Sequence, residues 1–430
     1  MIILALLTFV ASVLRLIFMD LPMRNDESYT FLCYLITPLH IPLFDYNTPN
    51  NHILFSLLTN ILCTIFGENV FVIRFPSFIA GFLLIPVSYC LARILYNKRV
   101  ALLSAAFIAG STYLIDFSAN ARGYNFVILA IVVLMLIAVL LLEKPYSKKL
   151  WLSFIVTTAI GFFSIPVMLF PCACIGFWLL FSFTLKCKQE SDYKAYFKFL
   201  RYLAVSAILS VILVLYCYAP VIVNDDGDGF SSRFAYFDND IIYAEFLEAL
   251  LFQLTRFQGF LMVDYPKILG IGMIALLFFS IVAHRFVENK KYFLNPMLVI
   301  LLVINVYLTK DKLVPPVRIF SVFVPFVYIA ISAAFISILN WVFRYFSKMD
   351  NIYLMRIIFT VLLVLHYADV SMTDSLINRQ KKEYFPNAEK IIAKIKTEYA
   401  NESITSFSPA RAAVFFYLFN KGIPVEDCIT

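Results

Sequence analysis

The octapeptide RNDESYTF, residues 24–31, sets Arg24, Asp26 and Glu27 within four positions, just after an apolar run that ends at Met19. Adjacent carboxylates beside a cation offer a proton acceptor, a proton donor or an ion-pair partner. The plainer alternative is a set of solvated charges flanking a membrane segment. The residues that follow favour chemistry. Asp45, Tyr46, Asn50, Asn51 and His52 lie in the same connection, which then enters the apolar stretch ILFSLLTNILCTIF at 53–66. A connection tied to a membrane at both ends keeps its polar groups beside lipid headgroups. A carboxylate there can act as base on a molecule in water and still reach another in lipid.

Two later segments could supply a cation for an anionic partner. SANARGYN, residues 118–125, holds Arg122, Tyr124 and Asn125 in a short connection, and PPVRIF, residues 315–320, places Arg318 behind two prolines at the start of an apolar run. An arginine at headgroup depth can grip a phosphate through two parallel bonds. It can equally snorkel to the interface as an anchor. For Arg122, a salt bridge to Asp116 and a contact to substrate are equal alternatives. Arg74, in RFPS, is expected to be structural and to pair with a carboxylate of the first outer loop. A histidine that opens a helix, as His52 does, can be a hydrogen-bonded structural group, a substrate contact or a metal ligand.

These residues need a membrane scaffold to position them. Of 430 residues, 62% are hydrophobic and 15% are charged, against about a quarter charged in soluble domains. Runs of about 20 apolar residues mark spanning helices, and they are expected near 2–19, 70–95, 100–118, 122–142, 150–164, 166–185, 200–223, 266–286, 292–309, 317–342 and 352–368. The first run lacks a basic leading region and a small-residue cleavage site, so it reads as a retained span. Loops 96–99, 143–149, 186–201, 284–291 and 344–356 are rich in Lys and Arg. The positive-inside rule assigns them to the cytoplasm, which puts residues 20–69 and 116–122 outside. The formal charge of +7 arises largely in those loops and calls for no nucleic acid. The eight cysteines lie mostly in apolar segments, with no spacing that suggests a metal site or a disulfide framework.

The charge rule forces two further readings. The 14 residues at 53–66 are too short to cross and are laid along the outer surface as a juxtamembrane helix. Residues 150–185 form two passes, broken at Ile165-Pro166. The fold is therefore an all-α polytopic membrane protein of about eleven spans with outer juxtamembrane helices, over 1–368. Residues 369–430 form a small extracytoplasmic α/β appendage: a helix near 388–395, a short strand at ITSF (404–407), and a helix opened by Ser408-Pro409 and stopped by Gly422. The acidic run NDDGDG at 224–229 lacks a full calcium-loop pattern and reads as a mobile outer loop near an acceptor.

The order of these motifs resembles the GT-C superfamily of membrane glycosyltransferases, of the protein-mannosyltransferase and aminoarabinose-transferase type. The elements are Arg15, Asp26-Glu27 with Tyr29, TPNNHILFSLL, FGENVFVIRFPS, LARILY, SANARGYN and, more weakly, PPVRIFSVFVPF. The resemblance implies a polyprenyl-phosphate-linked sugar donor and an inverting transfer on the outer face of a bacterial plasma membrane. The acceptor would be a glycan, a lipid or a protein. Asp26 matches the catalytic aspartate, with the role of general base. Glu27, Asn50, Asn51, His52, Arg122, Tyr124 and Arg318 are the implied substrate-binding set. No cofactor is required by it; a divalent metal at His52 and Asp116 stays open, although the acidic pair that relatives use beside Asp116 is missing. The competing readings are a flippase or transporter for lipid-linked glycans, and a polysaccharide polymerase.

Overall fold

The computed structural model describes residues 2–46, 50–224, 267–283, 321–345 and 411–420, with a few isolated positions besides. Among the described residues there is no β-strand. The helices in chain order are α1 (Ile2–Met19), α2 (Asn25–Thr30), α3 (Ile41–Phe44), α4 (Ile53–Phe66), α5 (Val70–Leu95), α6 (Lys98–Gly110), α7 (Thr112–Ser118) and α8 (Tyr124–Glu143). They continue as α9 (Lys148–Ser164), α10 (Leu169–Glu190), α11 (Tyr193–Val223), α12 (Lys267–Ala283), α13 (Val324–Tyr345) and α14 (Arg411–Asn420). Six helical segments among the described residues are long and apolar enough to cross a membrane, and seven if α6 and α7 count as one bent span. The protein is an integral, multi-pass membrane protein built of helices.

Local sequence sets most of the boundaries. A backbone crossing lipid must bond to itself, so helix ends cluster where a side chain can take over. Asn69 Oδ1 accepts from Val72 N at 3.0 Å to open α5, and Asn97 Oδ1 accepts from Arg99 N and Val100 N at 3.0 and 3.1 Å to open α6. Asp192 Oδ1 accepts from Ala195 N at 2.9 Å to open α11. Each is a short polar residue at the position that favours it. Gly67, at φ 86°, ends α4 in a conformation that other residues rarely adopt. The break at Ile165 is present: α9 stops at Ser164, and Pro166–Met168 forms a 3-10 turn that leads into α10. The basic segment at 186–201 is no open loop, because α10 runs on to Glu190 and α11 begins at Tyr193.

The expected single span at 100–118 is broken. α6 and α7 meet at Ser111 with a bend of 59°. A bend of this size leaves the last carbonyls of α6 short of donors, and Arg15 of α1 supplies them. Its guanidinium, fully buried, donates to Ala109 O at 2.9 Å, to Ile108 O at 3.5 Å and to Ser118 Oγ at 3.0 Å. A cation at the C-terminal end of a helix is also favoured by the helix dipole. The bend turns α7 so that Asp116 and the 119–123 connection meet Arg24 and Glu27.

Two buried clusters hold these parts. The larger packs α5, α6, α8 and α13 through residues such as Leu84, Ile108, Ile131 and Phe326. The smaller lies around α2 and joins Met23, Phe31, Phe55, Ile73, Ala121 and Phe416. Spans expected at 352–368 and, apart from isolated positions, 292–309 lie outside the described residues, as do the tail strand at 404–407, the acidic positions 225–229 and the helix stop at Gly422.

One glycine carries a tight crossing. A Cβ on Gly81 of α5 would stand 2.7 Å from Asn125 Nδ2 and collide with the Ser118 hydroxyl. Gly81→Ala should therefore cost about 1–3 kcal/mol through overpacking. The expected readout is a lower thermal midpoint of the detergent-solubilised protein.

Candidate active site

Glu27 and Arg74 form the foundation of the site, and both side chains are fully buried. Arg74 Nε donates to Glu27 Oε1 at 2.9 Å, and Nη2 donates to Oε2 at 2.7 Å. The remaining guanidinium hydrogens go to Met19 O, Leu21 O and Pro22 O at 2.9, 2.6 and 3.1 Å. Glu27 also accepts from Arg24 N at 2.9 Å and from Ala121 N at 2.6 Å. A guanidinium has five donors and a carboxylate about four acceptor sites. Here each is used. Glu27 is the third residue of α2, and its reach back to the Arg24 amide is half of a capping box. The pairing expected for Arg74 is thus present. It engages Glu27 so completely that Glu27 acts as a brace inside the protein rather than as a group open to substrate.

Burial by itself would raise the Glu27 pKa. Arg74, through charge and hydrogen bonds, and Arg24 outweigh it and hold the carboxyl below its ordinary value of 4.5. The sign of the pH effect follows. A depressed folded pKa gives stability that is present above 4.5 and is lost as pH falls through the folded value.

A second pair joins Arg24 to Asp116 through both guanidinium ends, one of them at 3.1 Å from Oδ2. These side chains are 8% and 13% exposed. Asp116 is therefore taken by Arg24, and the alternative bridge from Arg122 to Asp116 is overturned. The bend at Ser111 is the reason, since it carries Asp116 toward α2.

Arg122 pairs instead with Asp26, Nη1 to Oδ2 at 2.5 Å, and the two side chains differ sharply in exposure: 4% for Arg122 and 50% for Asp26. The guanidinium lies 5.4 Å from the centre of the Tyr124 ring, and its buried Nε has no hydrogen-bond partner among the described residues. Its backbone is fixed on both sides: Ser77 Oγ donates to Arg122 O at 2.7 Å, and Arg122 N donates to Asn120 O at 2.8 Å. Tyr124 stacks on Phe117 at 4.7 Å and meets the edge of His52 at 5.1 Å. Tyr46 is buried in the same surroundings. Burial first, and then the Tyr124 phenol, raise its pKa above the ordinary 10, with Arg122 opposing.

The asparagine and histidine segment is mostly structural. Asn51, 1% exposed, donates from Nδ2 to Pro42 O and Asp45 O at 2.8 and 2.7 Å and accepts from Ser56 Oγ at 2.9 Å. It ties α3 to α4 and has little left for a sugar. His52 Nδ1 accepts from Gly123 N at 2.7 Å, which couples the start of α4 to the connection that carries Arg122. Asn50 is partly exposed, and its carbonyl accepts from Thr30 Oγ1 at 3.5 Å. With His52 Nδ1 and both Asp116 oxygens so engaged, these two residues do not present a ligand set for a metal. Among the described residues no group of three His, Cys, Asp or Glu stands together. Arg318 lies outside the described residues.

The site thus gathers Asp26, Arg122, Tyr124, His52 and Tyr46 where the C-terminal ends of α1 and α7 meet the N-terminal ends of α4 and α8. Arg24 was the member whose role the sequence hid. Its only signal was the three-residue spacing to Glu27.

Residues 49–216 match the family model of dolichyl-phosphate-mannose-protein mannosyltransferase. The match takes in His52, Arg74 and Arg122 and begins after RNDESYTF. ArnT of Cupriavidus metallidurans, in a crystal structure bound to undecaprenyl phosphate, superposes with a TM-score of 0.60 at 12% identity, over 96% of this chain and 84% of its own. AglB of Archaeoglobus fulgidus, an archaeal oligosaccharyltransferase in complex with an inhibitory peptide and a dolichol-phosphate, gives 0.55 at 14% identity, over 92% of this chain and 58% of its own. Among curated proteins, none matches the sequence significantly. At these identities the likeness establishes a common fold, and the family-model match over 49–216 supports the resemblance to the GT-C membrane glycosyltransferases.

Removing either member of the Glu27–Arg74 pair should cost about 3–5 kcal/mol, because a buried charge is left alone. Thermal unfolding of Glu27→Gln and Arg74→Ala checks it. The difference between Glu27→Gln and the wild type should be full at pH 7 and should shrink as pH is lowered below 4.5.

Proposed function

We propose that the protein is a glycosyltransferase. It moves a sugar from a polyprenyl-phosphate donor to an acceptor hydroxyl on the extracytoplasmic face of the membrane, with inversion. The observation that carries the reading is the exposure of Asp26. Glu27 and Asp116 are spent on Arg74 and Arg24, whereas Asp26 keeps half of its side chain in the open beside a buried arginine. The fold is shared with ArnT and AglB, whose structures hold undecaprenyl phosphate and dolichol-phosphate.

The chemistry follows from the two charges. The acceptor oxygen attacks the anomeric carbon while the bond from that carbon to the phosphate oxygen breaks. The proton of the hydroxyl goes to Asp26, and the electron pair of the broken bond leaves with the polyprenyl phosphate. One back-side displacement inverts the centre and needs a base rather than a nucleophile. In the free protein, Asp26 Oδ2 is occupied by Arg122. A donor phosphate brings a second anion to that guanidinium, whose Nε still has a hydrogen to give. Arg122 then steadies the departing phosphate, and the carboxylate is released to receive the proton. Tyr124, under the guanidinium, keeps it at this depth.

A transporter or flippase would place ionisable groups along a path at mid-membrane. Arg15 is a buried charge in a spanning helix, and its guanidinium is bound to backbone carbonyls and Ser118. It serves the helix break, not a passage.

Asp26→Asn should fold and insert as the wild type does, since the side chain is half exposed. Transfer from labelled polyprenyl-phosphate hexoses in membranes should fall by about 10²–10⁴-fold, and turnover close to wild type would end the assignment. Arg122→Gln should raise the KM for the donor far more than the KM for the acceptor. Equal changes in the two constants would remove Arg122 from the phosphate.

A further inference from the structure

The chain around Asp26 is held by groups from distant parts of the sequence, and one of them comes from the far end. Arg74 binds the carbonyls of Met19, Leu21 and Pro22, and Glu27 takes the Arg24 amide. Between them, the Met23 amide donates to Tyr417 Oη of α14 at 3.2 Å across 394 positions. On the other flank of α2, the Phe31 ring, fully buried, meets the edges of Phe416 at 5.0 Å and Phe419 at 5.6 Å. Phe416 is itself fully buried, and Val414 and Leu418 close the same cluster over Met23, Phe31 and Cys33. Phe31 begins a π-helical turn, residues 31–35, that continues α2. Wide turns of this kind are found often at functional sites.

We infer that α14 is a clamp on the catalytic loop, with Tyr417 and Phe416 as positioning residues that act through the Met23 amide and the Phe31 ring to set where Asp26 stands. The inference rests on the reading of Asp26 as base. α2 is only six residues long, well below the length at which a helix is stable alone, so its placement depends on its partners. Arg74 fixes the entry to α2 through the carbonyls before it. The α14 helix fixes it with a hydrogen bond before Asp26 and two ring contacts after it. A base must lie within about 3 Å of the hydroxyl it serves. A small rotation of α2 would carry Asp26 off the Arg122 guanidinium, whereas the Arg122 backbone stays held by Ser77 and Asn120.

This separates catalysis from donor binding. Tyr417→Phe removes the hydrogen bond to the Met23 amide and keeps the ring. It should lower kcat by about 3- to 10-fold and leave the donor KM within about twofold. Phe416→Ala should lower kcat by about 10²-fold, the scale of a 1 Å misplacement, and Phe416→Leu should recover most of it. The position of the loop is read independently of activity at Cys33, which is 8% exposed and whose thiol burial pushes up to about 11. In wild type, N-ethylmaleimide should label Cys33 slowly, as followed by peptide mass mapping. In Phe416→Ala the labelling should speed by about tenfold or more, while Cys174, fully buried in α10, stays protected as the control for global unfolding. Wild-type kcat in both variants, or donor KM and kcat moving together, or Cys33 labelled no faster than in wild type, overturns the clamp. Turnover retained in Asp26→Asn would instead overturn the base, and the Cys33 result would still decide whether the tail holds the loop.

Discussion

The Glu27–Arg74 pair is the constraint on which the candidate site depends. Two full charges are withdrawn from water, which costs several kcal/mol for each. The cost is offset only because every hydrogen of the guanidinium and each acceptor site of the carboxylate is engaged. Those bonds tie together the end of α1, the start of α2, α5 and the connection before α8. The pair thereby converts three separate segments of chain into one rigid rim. Sharing a single saturated network also makes the rim cooperative, since loss of one member leaves several polar groups unsatisfied at once.

Above that rim, three arginine–carboxylate pairs differ mainly in burial. Glu27 is sealed, Asp116 is nearly so, and Asp26 is half open. Position in this gradient decides what each can do. A sealed carboxylate is a strut, because no reactant can reach it. A half-open carboxylate beside a buried arginine is an exchangeable contact, because solvent or substrate can compete for either partner. The aromatic shell of Tyr124, Phe117, His52 and Tyr46 lowers the local polarity and strengthens whatever ionic contact forms there.

The helix break at Ser111 connects the membrane part to this gradient. A continuous span would carry Asp116 away from α2. The 59° bend turns it inward, and Arg15 compensates the carbonyls that the bend exposes. Gly81 lets α5 approach close enough for Ser118 and Asn125 to sit between the helices. Non-ideal backbone at membrane depth is tolerated where protein groups surround it, and here it serves to aim a side chain.

The sequence by itself determined the class of architecture and the register of its helices. Long apolar runs have no stable place outside a membrane, and Asn, Asp, Gly and Pro mark helix ends by local bonding or a fixed dihedral, as at Asn69, Asn97, Asp192, Gly67 and Pro166. It also singled out Asp26, His52, Arg122 and Tyr124 as polar residues at span ends, and it anticipated that Arg74 would meet a carboxylate of the first loop, which is Glu27. The pairing was decided only by tertiary structure. Three arginines and three carboxylates can be matched in several ways at equal local cost, and the bend at Ser111 fixed which met which. Asn51 and Glu27 read as open polar groups in one dimension and turned out to be filled, because their partners arrive from α3, α4, α5 and the 119–123 connection. Nor could any local pattern have placed Tyr417 on the Met23 amide, since a contact across 394 positions depends on where the whole fold brings the two ends of the chain.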